Sequence, residues 1–408
     1  MTRDRIGALA RSRRGPWLML AVLLVALVTS RGAHADVERY ALLIGNNRGD
    51  VQEPQLRYAT SDADRMSDVL SNLGSFPPVN EVVLRDAVAD TARRTLIALN
   101  DRIRATASRP GTQVVLFVYY SGHADNDALH LGTSRLDVRE LEQLVRGSAA
   151  QFRVLLIDAC RSGALTRVKG GTPGPPFPIR MGERLDGEGV VFLTSSSESE
   201  DAQESDELHG SFFTHYFASG LMGAADFDHD GRVDLDEAYR YAFEGTVRST
   251  SRTWAGTQHP TFRYELGGQG RIVLTEPQRS AEVATLVFPD ARSYLVFRGS
   301  ESGAVVGEVT ATTGGRRFSV RAGRYFLRGR TPDYVLEGDV VVAEGQVLTV
   351  DDSLLRRIEY ARLVRKGGGD IRSTNGPVLG YTMRTALRDG ASVCNGFFGG
   401  YAFALPAL

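Results

Sequence analysis

Five short stretches of the chain run apolar at consecutive positions: Tyr40–Ile44, Val82–Leu84, Val114–Val118, Val154–Ile157 and Val190–Leu193. A strand with one face in water alternates apolar and polar residues. A strand apolar throughout is buried on both faces. Between these runs lie segments with helical spacing. Residues 60–73 bring Ala63, Met66, Val69, Leu70 and Leu73 together, residues 90–107 bring Leu96, Leu99, Ile103 and Ala107 onto one face, and residues 136–146 form a third helix. The alternation predicts an α/β fold: a mostly parallel sheet flanked by helices. Ligands of such sheets sit beyond the carboxyl ends of the strands, so the residues after each run carry the functional information.

The third run is followed by Tyr119-Tyr120-Ser121-Gly122-His123-Ala124, the fourth by Asp158-Ala159-Cys160-Arg161-Ser162-Gly163. A histidine and a cysteine thus leave the same rim, each beside small residues that let the chain turn and a substrate approach. Taken singly, a histidine is more often structural and a cysteine a small buried hydrophobe. As a pair at equivalent strand ends they match nucleophilic catalysis, in which imidazole takes the thiol proton and the thiolate attacks a carbonyl.

These motifs, in this order, resemble the caspase-like cysteine peptidases of clan CD, in particular bacterial caspase- and metacaspase-like domains. Ala41-Leu42-Leu43-Ile44-Gly45-Asn46, Leu56-Arg57-Tyr58-Ala59 with Asp62-Ala63-Asp64, and Gly210-Ser211-Phe212-Phe213-Thr214-His215-Tyr216 are similar to the first strand, first helix and late helix of that family, so the resemblance covers roughly residues 37–277. It implies Cys160 as nucleophile, His123 as general base and acid, and an oxyanion hole from the backbone N–H groups of Cys160 and Ala124. The family usually has glycine at the latter position. Alanine keeps the N–H, but a positive φ there would strain it. The resemblance further implies that Asp158 belongs to a pocket for Arg or Lys side chains. Read from the residues alone, Asp158 equally fits an acid that bonds the turn backbone. Ser195-Ser196-Ser197 and the acids from Glu198 to Glu207 follow the fifth strand. In the family this region pairs with the substrate backbone and walls the first pocket, which assigns Ser195 and Ser197 to substrate binding; a solvated acidic loop is the other reading.

The segment Asp226-Phe227-Asp228-His229-Asp230-Gly231-Arg232-Val233-Asp234-Leu235-Asp236-Glu237 fits the spacing of an EF-hand calcium loop. Asp226, Asp228, Asp230, Asp234 and Glu237 supply carboxylates, Arg232 a backbone carbonyl, and Gly231 the sharp bend. Calcium is the expected cofactor, structural or regulatory; no redox or nucleotide cofactor is called for. A Gly/Pro-rich stretch over residues 164–188 carries Arg167, Lys169, Arg180 and Arg184, where a peptidase with basic preference would cut itself.

Residues 1–35 read as a secretory signal: Arg3, Arg5, Arg11, Arg13 and Arg14, an apolar run from Trp17 to Val28, then Ala33-His34-Ala35. That run is shorter than the about 20 residues a spanning helix needs. The expected site of action is therefore beyond the inner membrane: periplasm, outer membrane or outside the cell. Lys+Arg is 48 against Asp+Glu 49, with no basic excess of the kind a nucleic-acid binder shows. Two cysteines in 408 residues exclude a disulfide scaffold. The peptidase region spans residues 36–277. Short β-rich runs between Ala284 and Val350, separated by turn residues, predict a small all-β sandwich over residues 278–352. The remainder, 353–408, reads as a short helix at Leu354–Val364, a Gly-rich linker and a β-like tail. The tail runs Val378–Arg388 and Phe397–Leu405 resemble the first strands of an outer-membrane barrel, which leaves outer-membrane association open beside a simple hairpin packed on the sandwich. Two functions stand at this point: a secreted endopeptidase that cleaves protein or peptide substrates after basic residues with a Cys-His dyad, and an inactive caspase-like scaffold that binds a protein in the same cleft.

Overall fold

The computed structural model describes residues 36–160, 188–197, 200–267, 271–280, 282–290, 292–310, 315–360, 376–384 and 394–402. The segment expected to be a secretory signal, residues 1–35, and nearly all of the Gly/Pro-rich stretch lie outside these residues. Among the described residues no helix is long and apolar enough to cross a membrane.

The expected strands and helices form, within a few residues of the apolar runs. They are β1 (Asp36–Gly45), α1 (Ala59–Leu73), β2 (Glu81–Arg85), α2 (Ala89–Ala107), β3 (Thr112–Ser121), β4 (His123–Ala124), β5 (Ala128–Leu131), β6 (Ser134–Asp137), α3 (Val138–Arg146), β7 (Phe152–Asp158) and β8 (Glu188–Thr194). After them come α4 (Phe212–Ser219), α5 (Leu235–Thr250) and β9 (Thr261–Gly267). The main sheet has six strands in the order β9-β8-β7-β3-β1-β2. All its pairings are parallel except that of β9 with β8. Two features were not visible in the sequence: β9 closing one edge in the antiparallel sense, and a small sheet in which β5 pairs antiparallel with both β4 and β6.

Because side chains alternate along a strand, the apolar runs feed two separate cores. Ala41, Leu43, Phe117, Tyr119, Val154 and Leu156 face the side that α1 covers, with Met66 and Leu70 against them. Leu42, Ile44, Leu116, Val118, Leu155 and Ile157 face the side of α2 and α3, against Leu96, Leu99 and Leu141. Each fully buried Leu, Ile or Phe of this kind contributes about 1.5–3 kcal/mol relative to exposure. The chain leaves β1 for β2 on one side and returns past it to β3 on the other. The strand order therefore switches between β1 and β3, the position at whose carboxyl end such sheets bind their ligands.

The C-terminal region follows the β-rich pattern. Strands β10 (Val283–Phe288), β11 (Ser293–Arg298), β12 (Val305–Thr310), β13 (Arg316–Arg321), β14 (Gly323–Arg330), β15 (Tyr334–Val342), β16 (Val347–Thr349) and β17 (Arg356–Glu359) form a three-stranded sheet, β13-β10-β16, and a five-stranded one, β12-β11-β14-β15-β17. The helix expected at Leu354–Val364 is not formed in its described part: Arg356–Glu359 is instead the edge strand β17. The open edge of β15 captures this short segment, and the Arg357 guanidinium sits 3.9 Å from the Tyr334 ring centroid. Residues 359–408 form a separate compact unit. Within it Gly376–Arg384 pairs antiparallel with Cys394–Ala402, from Gly376 opposite Ala402 to Arg384 opposite Cys394.

Candidate active site

Strand pairing brings the histidine and the cysteine to one rim. β3 and β7 are neighbours, and their register puts Ser121 opposite Asp158. The Gly122 N–H extends the ladder by donating to the Asp158 carbonyl at 3.2 Å. His123 and Cys160 each lie two residues beyond that last matched pair, on strands whose axes stand about 4.8 Å apart. His123 is buried and Cys160 half-buried. The thiol donates to the Ala202 carbonyl at 3.8 Å, so the segment after β8 passes directly over the sulfur.

The imidazole of His123 is held from several directions. Its Nε2 lies 2.7 Å from the Pro54 carbonyl. A carbonyl can only accept, so Nε2 carries the proton, and Nδ1 keeps the lone pair of the neutral ring. Gly49 lies against the ring: a Cβ there would stand 2.7 Å from Cδ2 and 2.0 Å from Glu53 Oε2, so a larger residue would displace the ring or the Glu53 carboxylate. The Tyr120 hydroxyl sits between the carbonyls of His123 (2.6 Å) and His130 (3.0 Å) and fixes the β4–β5 pair to the sheet.

An acid–base chain surrounds this histidine. Glu53 Oε1 lies 4.0 Å from His123 Nδ1 and 2.7 Å from His130 Nδ1. His130 is directly opposite His123 across the small sheet, and its Nε2 reaches Asp125 at 3.0 Å. Arg135 pairs with both Asp125 and Asp50. Sequence reasoning did not single out Glu53, Pro54 or His130. Glu53 and Pro54 sit in an irregular loop about 70 positions from His123, and only the sheet topology closes that distance.

Ala124 is extended. The Asp125 N–H donates to the Ala128 carbonyl at 3.0 Å. Those two residues are thus a hydrogen-bonded pair, and Ala124 with Leu129 the next, non-bonded one. The Ala124 N–H therefore turns away from β5. Among the described residues, Ser75, Asp86, His209 and His229 are the non-glycine residues with positive φ. Alanine in place of the family's glycine costs no backbone strain here.

Asp158 is 3% exposed. Among the described residues its carboxylate is held from the start of α4 rather than by the turn backbone. Its Oδ2 accepts from the Ser211 hydroxyl and, at 2.6 Å, from that of Thr214, both at the start of α4. Burial holds its carboxyl above the ordinary range, with the Ser211 and Thr214 bonds pulling the other way. The Ser211 N–H in turn donates to Asp62 Oδ2 at 2.9 Å. Asp62 is fully buried, and burial raises its carboxyl well above the usual value despite the nearby Arg65. Ser195 follows Thr194, the partner of Ile157, and so stands beside Asp158. Asp62 Oδ1 is buried and has no hydrogen-bond partner among the described residues, while the Ser195 hydroxyl beside Asp158 favours the charged form of that carboxylate. Ser197 is half-buried at the exit of β8, its N–H directed to Glu200 at 3.4 Å. Three of the acids that follow are engaged within the chain. Glu200 holds His259, Glu204 accepts from the Arg57 and Tyr58 N–H groups, and Asp206 binds Arg57 and the Tyr58 hydroxyl.

The caspase domain family matches residues 38–266. The chain belongs to the caspase domain family. That makes this region a caspase-like domain of the cysteine peptidase type, with proteins or peptides as its class of substrate. Among curated proteins none matches the chain. Among solved structures the caspase-like chain is similar to caspase-1 from Spodoptera frugiperda, at 14% identity and TM-score 0.42, covering 60% of this chain and 93% of that one.

The acidic loop stands apart from this rim, between α4 and α5. Carboxylate oxygens of Asp226, Asp228 and Glu237 lie within 4.8 Å of one another. Asp230 and Asp234 are turned to other partners: Asp230 Oδ1 accepts from the Arg232 N–H at 2.8 Å, and Asp234 caps α5 by accepting from the Glu237 N–H at 2.9 Å. Burial, followed by the proximity of Asp234, pushes Glu237 up to about 8.

Proposed function

We propose that this caspase-like protein is an exported cysteine endopeptidase that cleaves after Arg or Lys, with Cys160 as nucleophile and His123 as general base and acid. The observation that carries the reading is the equivalent placement of His123 and Cys160 past the matched ends of adjacent parallel strands, with the tautomer of His123 set by the Pro54 carbonyl.

His123 Nδ1 takes the thiol proton, and the sulfur attacks the scissile carbonyl carbon. The N–H groups of Cys160 and Ala124 receive the developing oxyanion. Glu53, near Nδ1, attracts the imidazolium formed at that moment. The carbon–nitrogen bond then breaks, the leaving amine takes the proton from Nδ1, and a thioester remains. Water, losing a proton to Nδ1, attacks the thioester. The acid product leaves, and proton and sulfur return to their starting state.

The basic preference rests on the buried acids Asp158 and Asp62, with Ser195 beside them. Two buried carboxylates side by side, with Asp62 Oδ1 without a partner among the described residues, are costly unless a donor arrives. A guanidinium or ammonium supplies donors and charge together. Ser197, just past the end of β8, is assigned to the substrate backbone. Export rests on the charged, apolar and small-residue segments of residues 1–35, and self-cleavage on the basic residues of the Gly/Pro-rich stretch, both outside the described residues.

The test is Cys160→Ala. Hydrolysis of a basic peptide is expected to fall by at least about a thousandfold, the scale of losing a nucleophile, while the far-ultraviolet spectrum and Tm stay unchanged. Undiminished turnover in the purified variant would remove Cys160 from the mechanism.

A further inference from the structure

We infer that the loop Asp226–Glu237 is a calcium site, and that the guanidinium of Arg271 competes with the cation for its carboxylates. The loop has the spacing that wraps oxygens around one hard cation, and three of its carboxylates already converge within 4.8 Å. Gly231 has φ of 81°, the left-handed bend the sixth position of such a loop requires.

Acidic clusters are common without an ion, and what distinguishes this one is Asp226. It is 5% exposed, and its Oδ2 accepts from the Gly231 N–H at 3.2 Å. Its Oδ1 is buried with no partner among the described residues, in the carboxylate group that also contains Asp228 and Glu237. A carboxylate oxygen buried beside two further acids lacks a cation more than a hydrogen bond.

Arg271 supplies the second observation. Its guanidinium lies 2.8 Å from Asp228 Oδ2 and 3.2 Å from Asp230 Oδ2, with Nε 3.7 Å from Asp234. One side chain from a neighbouring strand region thus partly neutralises three of the acids the ion would use, while the most buried of them, Asp226, remains unmatched. The same residue ties the site to the β-sandwich. The Asp226 carbonyl accepts from Arg316 of β13 at 2.8 Å, and that guanidinium also lies 4.8 Å from the Phe227 ring centroid. An ion at Asp226 stiffens the junction between α4, α5 and the sandwich.

The experiment uses the full chain carrying Cys160→Ala, so that self-cleavage plays no part, with calcium chloride or a chelator. Titration calorimetry is expected to show one calcium per chain, and the Tm to rise with calcium by mass action. Asp228→Asn, at an exposed position, is expected to weaken binding at least tenfold while the chelated Tm stays close to that of the parent. Arg271→Ala is expected to tighten it several-fold, because the competing cation is gone; a loop that only turns the chain predicts no such gain. Absence of calcium heat with equal Tm values in calcium and chelator would overturn the inference. Binding unaltered by both Asp228→Asn and Asp226→Asn, or an equal shift with magnesium, would do the same.

Discussion

At the residue scale, the placement of His123 and Cys160 at one rim was legible because each follows an apolar strand directly, among small residues that announce a rim. Asp62, Glu53 and His130 were not, because their roles depend on approaches between distant segments: Asp62 meets Asp158 through Ser211, and Glu53 meets His123 through the β1 loop. Glu53→Gln keeps an acceptor for His130 and removes the charge beside His123. It is expected to lower kcat on the order of tenfold, about 1.4 kcal/mol of barrier, with little change in KM. An unaltered kcat would leave Glu53 as a loop anchor only. The pocket acids yield a pH prediction. Desolvation raises Asp158 and Asp62 above an exposed aspartate, so they take up protons at higher pH than usual. A cationic competitor such as benzamidine needs them ionised. Its affinity is therefore greatest above their folded pKa and is lost as pH falls through it, starting above the range of an ordinary aspartate. Inhibition constants measured across pH test this, and a constant flat down to pH values near 4 would exclude Asp158 and Asp62 as the partners of the cation.

At the element scale, the apolar runs and helical stripes located the main strands and helices closely, since burial on two faces leaves an unbroken apolar signature. The two-residue strand His123–Ala124 and the polar-rich β6 carry no such signature; their pairing comes from the turn at Asp125 and the packing of Tyr120 beneath. The edge strand β17 was likewise unreadable, as Arg356–Glu359 owes its conformation to a neighbour. Packing of elements from different regions is tested at Gly307 in β12. A Cβ there would stand 2.6 Å from the Phe318 ring and 2.9 Å from Ser219 Oγ at the end of α4. Gly307→Val is expected to destabilise the protein by about 1–3 kcal/mol, the usual range for overpacking, read as a lower denaturation midpoint. An unshifted midpoint would mean that α4 and β12 do not touch at this position.

At the scale of the whole molecule, one core runs from α1 through α4 and α5 into the sandwich: Met66, Phe217 and Tyr241 belong to the same cluster as Leu286, Tyr294 and Phe318. Tyr216 and Tyr241 bond Glu308 of β12 directly. The sandwich is thus part of what holds the α4–α5 side of the caspase-like domain in place, and the start of α4 carries the two hydroxyls on Asp158. Composition and periodicity distinguished the two kinds of structure but not this shared core, because an apolar residue in sequence does not name its partner. What remains to be measured is the chemistry. The most direct measurement is kcat/KM on peptides that differ only in the residue before the cut, for the wild-type chain, Cys160→Ala and Asp158→Asn. Arg and Lys peptides are expected to be turned over at least tenfold faster than neutral ones and acidic ones not at all, with activity lost in Cys160→Ala and the basic preference lost in Asp158→Asn. Preferential cleavage after Asp or Glu, or undiminished hydrolysis by Cys160→Ala, would contradict the proposed function.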